Sequence, residues 1–284
     1  MVKTWKQLQT YLLVTPQTLV FLLFLLFPLL TIFVVSFWEF NGYAMSPALI
    51  LGNYKAIFTP VYLATYLNTF KFTVIVWGLA LAIAYPVAYF LAFHIHDLRW
   101  QIGLFVLCTI PFFTSNIIRM ISWIPFLGRE GILNQVLLNL GIVQAPVDIF
   151  LYSDFAVVLA MLHLYTLFMV VPIFNSLVRI DRDLIAAALD SGASGLQVFK
   201  EVVLPLSLPG IAIGSIFIVT LVMGEFTTVR LMSGGQASSV GSAIRNQIGS
   251  LQYPQASANA VILLLVTLAI VVGIMRTFDI RKEL

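Results

Sequence analysis

The amino-acid sequence predicts an all-α membrane protein with about six transmembrane helices, and three observations carry that expectation. Hydrophobic residues make up 61% of the 284 and charged residues only 10%, whereas a soluble domain carries about 25% charged residues. Mean hydropathy is +1.02, an excess of apolar side chain that lipid, not water, must solvate. Apolar stretches long enough to cross a hydrocarbon layer, which takes about 20 residues each, recur at Tyr11–Trp38, Phe70–Phe93, Gly103–Phe126, Phe155–Val178, Leu208–Val229 and Ala258–Phe278. One membrane domain over residues 1–284 is expected.

The first stretch follows Lys3 and Lys6, as a signal peptide would. It is too long for one, and Trp38-Glu39-Phe40 offers no small-residue cleavage site. An uncleaved helix bent near Pro28 is expected. Connections that retain Lys and Arg mark the cytoplasmic side. The amino terminus (Lys3, Lys6), the 94–102 connection (Arg99), the 179–206 connection (Arg179, Arg182, Lys200) and the tail (Arg276, Arg281, Lys282) hold nine of the fifteen. The alternate connections hold four, Lys55, Arg129, Arg230 and Arg245, with Lys71 and Arg119 inside the apolar stretches. Both termini are therefore expected in the cytoplasm.

The charge of +3 is scattered singly, so it offers no footprint for nucleic acid. Cys108 is the single cysteine and lies in an apolar stretch, which excludes a disulfide framework and a cysteine metal cluster within one chain. Residues 131–143 place Ile132, Leu133, Val136, Leu137 and Leu140 on one helical face. That segment is too short to span and suits an interfacial or re-entrant helix on the outer side.

The 179–206 connection reads as two short helices joined at a glycine. Ile180 to Leu189 forms the first, Gly192 interrupts, and Leu196, Val198, Phe199, Val202 and Val203 give a second apolar pattern ending at Pro205. Periodicity alone leaves a generic cytoplasmic hairpin equally open. Spacing adds more: Ala186-Ala187-Ala188, three residues, Gly192, nine residues, Val202, one residue, Leu204 and Pro205. This resembles the Glu-Ala-Ala, Gly, Ile-x-Leu-Pro pattern of permeases of binding-protein-dependent ABC importers, with Ala186 replacing the acidic residue and Val202 the isoleucine. The resemblance covers nearly the whole chain and sharpens toward the spermidine/putrescine-type branch. Leu51-Gly52-Asn53-Tyr54 looks like that branch's strand before its second helix. Pro111 through Arg119, Trp123 and Gly131-Ile132-Leu133-Asn134 are similar to its third helix and outer loop, and Gly224-Glu225-Phe226 with Gly234-Gly235 to its fifth helix and last outer loop.

The resemblance implies a type I importer permease fold in the bacterial inner membrane. It implies a coupling loop at 179–206, comprising Ala186, Ala187, Ala188, Gly192, Ala193, Leu196, Phe199, Val202, Leu204 and Pro205. Gly192 supplies the bend of a lever over 194–203, and Pro205 ends it. The implied partners are two ABC ATPase subunits carrying ATP and magnesium, a second related permease and an external solute-binding protein. This chain is then a transport subunit without a cofactor of its own, and its solute a polyamine or similar amine; related importers handle iron, phosphonate or opine compounds.

Leu231-Met232-Ser233-Gly234-Gly235-Gln236 nearly spells an ABC ATPase signature, but no Gly-x-x-x-x-Gly-Lys-Ser/Thr loop exists to cradle phosphate, so ATP hydrolysis belongs to another chain. His94 and His96 lack a third ligand and read as solvated residues. His163 reads as a packed, hydrogen-bonded core residue or a contact on the translocation path, and Lys71 as a snorkelling cation. Arg119 and Glu225 are harder to place, since a charge at the centre of a span costs about 2.5–3.5 kcal/mol on insertion scales. At about 1.5 Å per residue both lie about 25 Å from the inner ends of their stretches. An ion pair is the favoured expectation; the other is an outer vestibule on the translocation path, with Asn116 and His163, in which Glu225 meets an ammonium-bearing solute while Arg119 repels it or holds Glu225 in place. A secondary transporter or channel would lack the coupling loop and show inverted repeats; a membrane enzyme would cluster its catalytic groups.

Overall fold

The computed structural model describes residues 13–95 and 97–278, the side chain of Phe112 excepted. Tyr11, Lys3, Lys6, His96, Arg281 and Lys282 lie outside the described residues. Among the described residues five helices are long and apolar enough to cross a membrane: α1 (Leu13–Val35), α3 (Pro60–His94), α7 (Asp154–Val178), α9 (Gly195–Met223) and α12 (Tyr253–Thr277). Between them lie α2 (Gly52–Ile57), α4 (Leu98–Thr109), α5 (Asn116–Leu127), α6 (Ile132–Asn139), α8 (Arg182–Asp190), α10 (Thr227–Met232) and α11 (Val240–Gly249). A two-residue hairpin pairs β1 (Glu39–Phe40) with β2 (Met45–Ser46) in antiparallel register, Glu39 opposite Ser46.

The chain packs as two units. One comprises the described part of Met1–Leu63 with Ala243–Leu264, and the other Ala64–Ser242 with the described part of Leu265–Leu284. In the first unit, α1 carries a π-turn at Leu22–Leu26, where Phe27 N–H reaches back to the Leu22 carbonyl. The widened turn sits just before Pro28, which has no N–H to continue the regular ladder. The segment 51–54, expected extended, instead begins α2. Asn53 Nδ2 donates to the carbonyls of Ser36 and Trp38, both at 2.9 Å, and Tyr54 OH shares a 2.6 Å bond with Ser36 Oγ. These bonds satisfy the carbonyls left open after α1, and a helical turn at 52–57 is what aims the side chains at them. Tyr62 OH accepts from Gln247 Nε2 at 2.8 Å and Gln255 Nε2 at 3.2 Å, and buried Asn259 donates to Gln247 Oε1 at 3.1 Å. That network ties the first turn of α3 to α11 and α12.

The second unit is built on the pair α7 and α9. Gly210 and Gly214 stand four apart on α9, and a Cβ at either would lie 2.6 Å from the Pro172 carbonyl or 2.5 Å from Met169 Sδ of α7. Small residues at this spacing let two backbones approach in lipid, where close van der Waals packing replaces a hydrophobic driving force. Met169, Ile173 and Leu177 from α7 and Ile218 and Val222 from α9 fill the core, with Phe72, Val76 and Ala80 of α3. α3 begins at Pro60, ten residues before the expected Phe70, and proline with its fixed φ suits the first helical position. Thr69 and Thr73 hydroxyls donate to the carbonyls four residues back at 3.0 and 2.8 Å.

Three expectations are corrected. The stretch Gly103–Phe126 is not one helix: α4 and α5 have 12 residues each, about 18 Å, and neither spans alone. Pro111 lacks the donor an α-helix needs there, so the chain makes a 3₁₀ turn at Ile110–Phe113 and passes extended through Thr114 and Ser115 before α5 starts. The stretch Leu208–Val229 starts at Gly195 and stops at Met223, leaving Gly224-Glu225-Phe226 outside any helix. Pro205 does not end the lever, because a π-turn at Phe199–Val203, with Leu204 N–H bonded to the Phe199 carbonyl, absorbs the proline and lets the helix continue.

In α6 the expected apolar face is only partly packed. Ile132, Val136 and Leu140 are exposed, and the fully buried residue is Asn134. Its Nδ2 donates to the carbonyls of Gly128 and Val147, both at 3.1 Å, while its Oδ1 accepts from Val147 N–H at 2.8 Å. One amide thus satisfies three backbone groups that an apolar side chain would leave unpaired.

Candidate functional site

Two regions of the second unit bear on function, the loop around Gly192 and a polar cleft near the helix breaks. In the first, Asp181 caps α8 by accepting the Asp183 N–H at 2.9 Å, and Ser194 and Gln197 form a reciprocal capping box at the start of α9. Between them Gly192 has φ +87°, a left-handed conformation that L side chains rarely adopt. Gly192 N–H reaches the Leu189 carbonyl at 2.9 Å and Ala193 N–H the Ala188 carbonyl at 3.1 Å, the paired bonds of a Schellman stop. The bend therefore lies at Gly192, where the sequence puts it.

The α8–α9 corner turns one face inward. Ala188, Ala193, Phe199, Val202 and Leu204 pack on the core, with the Phe199 ring edge-on to Tyr85 at 5.8 Å. Ala186, Ala187, Gly192 and Pro205 are exposed, as are the larger Leu184, Leu189 and Leu196. Exposed leucines beside exposed alanines make a shallow apolar surface with little side chain to displace.

The second region lies where the break before α5 meets the break after α9. α5, α7 and α10 pack together here around a cleft of about 400 Å³ lined by Ser115, Asn116, Leu164, Glu225, Thr227 and Thr228 among others. Glu225 is half-buried. Tyr165 OH on α7 donates to its Oε2, and Thr228 N–H donates to its Oε1 at 2.8 Å. Ser239 Oγ holds the Glu225 backbone carbonyl at 2.9 Å.

The favoured Arg119–Glu225 ion pair does not form. Among the described residues the ion pairs are Lys71–Asp154 at 2.6 Å and Arg129–Asp148 at 3.7 Å. Arg119, buried, donates instead to Asn116 Oδ1 at 2.5 Å, one turn back on α5, and its Nε finds no partner among the described residues. Two neutral partners, Tyr165 for the carboxylate and Asn116 for the guanidinium, supply hydrogen bonds without requiring the charges to meet. Asn116, the partner of Arg119, lines one cleft with Glu225.

His163 is not a core residue. It is exposed, and its Nδ1 accepts from Trp123 Nε1 at 3.0 Å. Lys71 does not simply snorkel but pairs with Asp154, both about half-exposed (46% and 53%). His94 is exposed and stacks on Phe90, and the described residues contain no group of three His, Cys, Asp or Glu placed to hold a metal. The residue that sequence reasoning passed over is Tyr165. A tyrosine hydroxyl at membrane depth needs an acceptor and a buried carboxylate needs a donor, and that mutual need was the available signal. A second crevice, about 260 Å³ and almost wholly apolar, is lined by Trp77, Ser215, Ile211 and Ile274. Its polar atoms are already paired, Trp77 Nε1 donating to Ser215 Oγ at 2.8 Å.

Residues 81–282 match the family described as binding-protein-dependent transport system inner membrane component. The chain is 34% identical over 226 residues to the spermidine/putrescine transport system permease protein PotB of Escherichia coli K12, covering 79% of each chain. It is 34% identical over 239 residues to PotB of Haemophilus influenzae, covering 83% of this chain and 82% of that one. In fold it is similar to a chain of the bacterial alginate ABC transporter in complex with its alginate pentasaccharide-bound periplasmic protein, with a TM-score of 0.75 at 15% identity over 96% of this chain and 95% of that chain. Apolar helices of spanning length, the Gly192 corner and a match across most of the chain agree on one conclusion: this is an ABC transporter permease, a member of the binding-protein-dependent transport system inner membrane component family.

Proposed function

We propose that this chain is the permease subunit of an ATP-driven importer that moves a polyamine or similar amine across the bacterial inner membrane, with both termini in the cytoplasm. The observation that carries the substrate class is the 34% identity to spermidine/putrescine permeases over 79% of the chain. The exposed α8–α9 corner supports the ATP-driven part. It turns at Gly192 in a left-handed conformation, packs on the core through Phe199 and exposes Leu184, Leu189 and Leu196. An ATPase gripping that corner would pull on α9, which runs without interruption from Gly195 to Met223, so movement at the corner reaches the far end of the helix directly. Two ATPase subunits, a second related permease and an external binding protein complete the assembly in this reading, and ATP with magnesium is bound by the ATPase.

The test is uptake by proteoliposomes holding the complex co-extracted in mild detergent, with binding protein outside and ATP enclosed. Spermidine accumulation that requires ATP is expected. Accumulation without ATP would instead establish a secondary transporter, and failure to carry any amine while another binding-protein ligand is taken up would overturn the substrate class.

A further inference from the structure

The cleft at the two helix breaks has the chemistry of a cation site. Glu225 is the one ionisable residue among those lining it. Its carboxylate accepts one bond on each oxygen, from Tyr165 and from Thr228 N–H, which leaves an acceptor position free on each. Thr228 is fully buried and lines the same cleft, yet its Oγ1 has no partner among the described residues. Buried hydroxyls are nearly always paired, so an orphan beside a half-satisfied carboxylate calls for a missing partner. Arg119 is not among the lining residues; its guanidinium stands behind the wall, donating to Oδ1 of Asn116, which is one of them. The last carbonyls of α9, the negative end of a 20-residue α-helical run, point toward the same break.

We propose that this cleft is a subsite on the solute path that takes one alkylammonium group, with Glu225 as counter-charge and Thr228 Oγ1 as a second acceptor. The inference rests on the reading of the chain as an amine permease and names where the amine is held. An ammonium is a compact cation with three donors and no acceptor. It therefore matches a carboxylate with free positions and a hydroxyl oxygen without a partner among the described residues, whereas an anion would face the Glu225 carboxylate directly. Interrupted helices suit the task, because irregular backbone at membrane depth is tolerated where it lines a polar cavity. Tyr165 is a positioning residue that holds the carboxylate toward the cleft.

The experiment uses the assembled complex with Cys108→Ser and a reporter Ser115→Cys at the exposed rim of the cleft. Labelling rates are compared for 2-aminoethyl methanethiosulfonate, an ammonium, and 2-sulfonatoethyl methanethiosulfonate, an anion. The ratio of the two rates is expected to fall about tenfold on adding Glu225→Gln and to persist with Glu225→Asp, the size set by losing one charge-assisted contact. An equal ratio with and without Glu225→Gln overturns the subsite. If Glu225→Gln does not assemble, Thr228→Val decides, since valine matches threonine in shape and removes only the orphan hydroxyl. Assembly intact with spermidine uptake reduced several-fold is expected, and unchanged uptake overturns the role of Thr228. Should the parent complex carry no spermidine yet show the Glu225-dependent ratio, the polyamine reading fails and the cation subsite stands.

Discussion

At the scale of single residues, the two charges inside the apolar stretches that the sequence suggests as a pair are each held by a neutral group and not by one another. Arg119 and Glu225 each find a neutral partner in the same layer, Asn116 and Tyr165. Asn116→Ala should cost about 1.5–3 kcal/mol, the worth of a hydrogen bond to a charged group, and lower the thermal midpoint of the detergent-extracted protein. Asn134 is a stronger case, because its amide serves three backbone groups. Asn134→Leu, though apolar and of similar size, should destabilise by at least about 2 kcal/mol. A midpoint unchanged from the parent would show that water reaches those groups. In the sequence Asn134 stands only at the end of the Gly131-Ile132-Leu133-Asn134 outer-loop match. Nothing in the order of residues announces that loop carbonyls will converge on it.

At the scale of elements, glycine and proline decide where helices meet, bend and stop. The 210–214 glycine pair lies against α7, so Gly214→Val should force the two backbones apart. Overpacking of this kind costs about 1–3 kcal/mol, read as a lower midpoint with membrane insertion retained. Gly192 behaves differently: no atom crowds it, and its constraint is the φ of +87°. Gly192→Val should therefore leave the bundle folded while straining the corner by about 1–2 kcal/mol. ATP-dependent uptake is expected to drop with insertion unchanged; normal uptake would remove the corner from the coupling scheme. Prolines act less uniformly than their reputation as helix-breakers. Pro111 ends α4, whereas Pro205 is absorbed by a π-turn and α9 continues.

At the scale of the molecule, much apolar surface remains unpaired within the chain. No residue in the most apolar window of α1 is buried, against 56% in that of α9. Lipid can cover such surface, but the exposed Leu184 and Leu189 lie on the short α8 and Leu196 in the first turn of α9, among charged and polar residues, where protein is the better cover. Mass measurement of the complex extracted in mild detergent should accordingly give a multi-subunit assembly, and a functional monomer would contradict it.

The sequence by itself determined the membrane class, the positions of most spans and the bend at Gly192. Each of these depends on quantities that add along the chain. Transfer of about 20 apolar residues to lipid is favourable whatever they later touch, and a glycine in a capped turn adopts its φ from local sterics. Motif spacing around Gly192 likewise survives without knowledge of the packing. Only the tertiary structure decided that the third stretch is two half-length helices, that the fifth breaks at Gly224, and that the two breaks share one cleft. It alone chose Tyr165 over Arg119 as the partner of Glu225. Those outcomes turn on which polar group first reaches another at a few ångströms, and in lipid, where no water can substitute, the nearest satisfied geometry prevails over the pairing that charge alone would suggest.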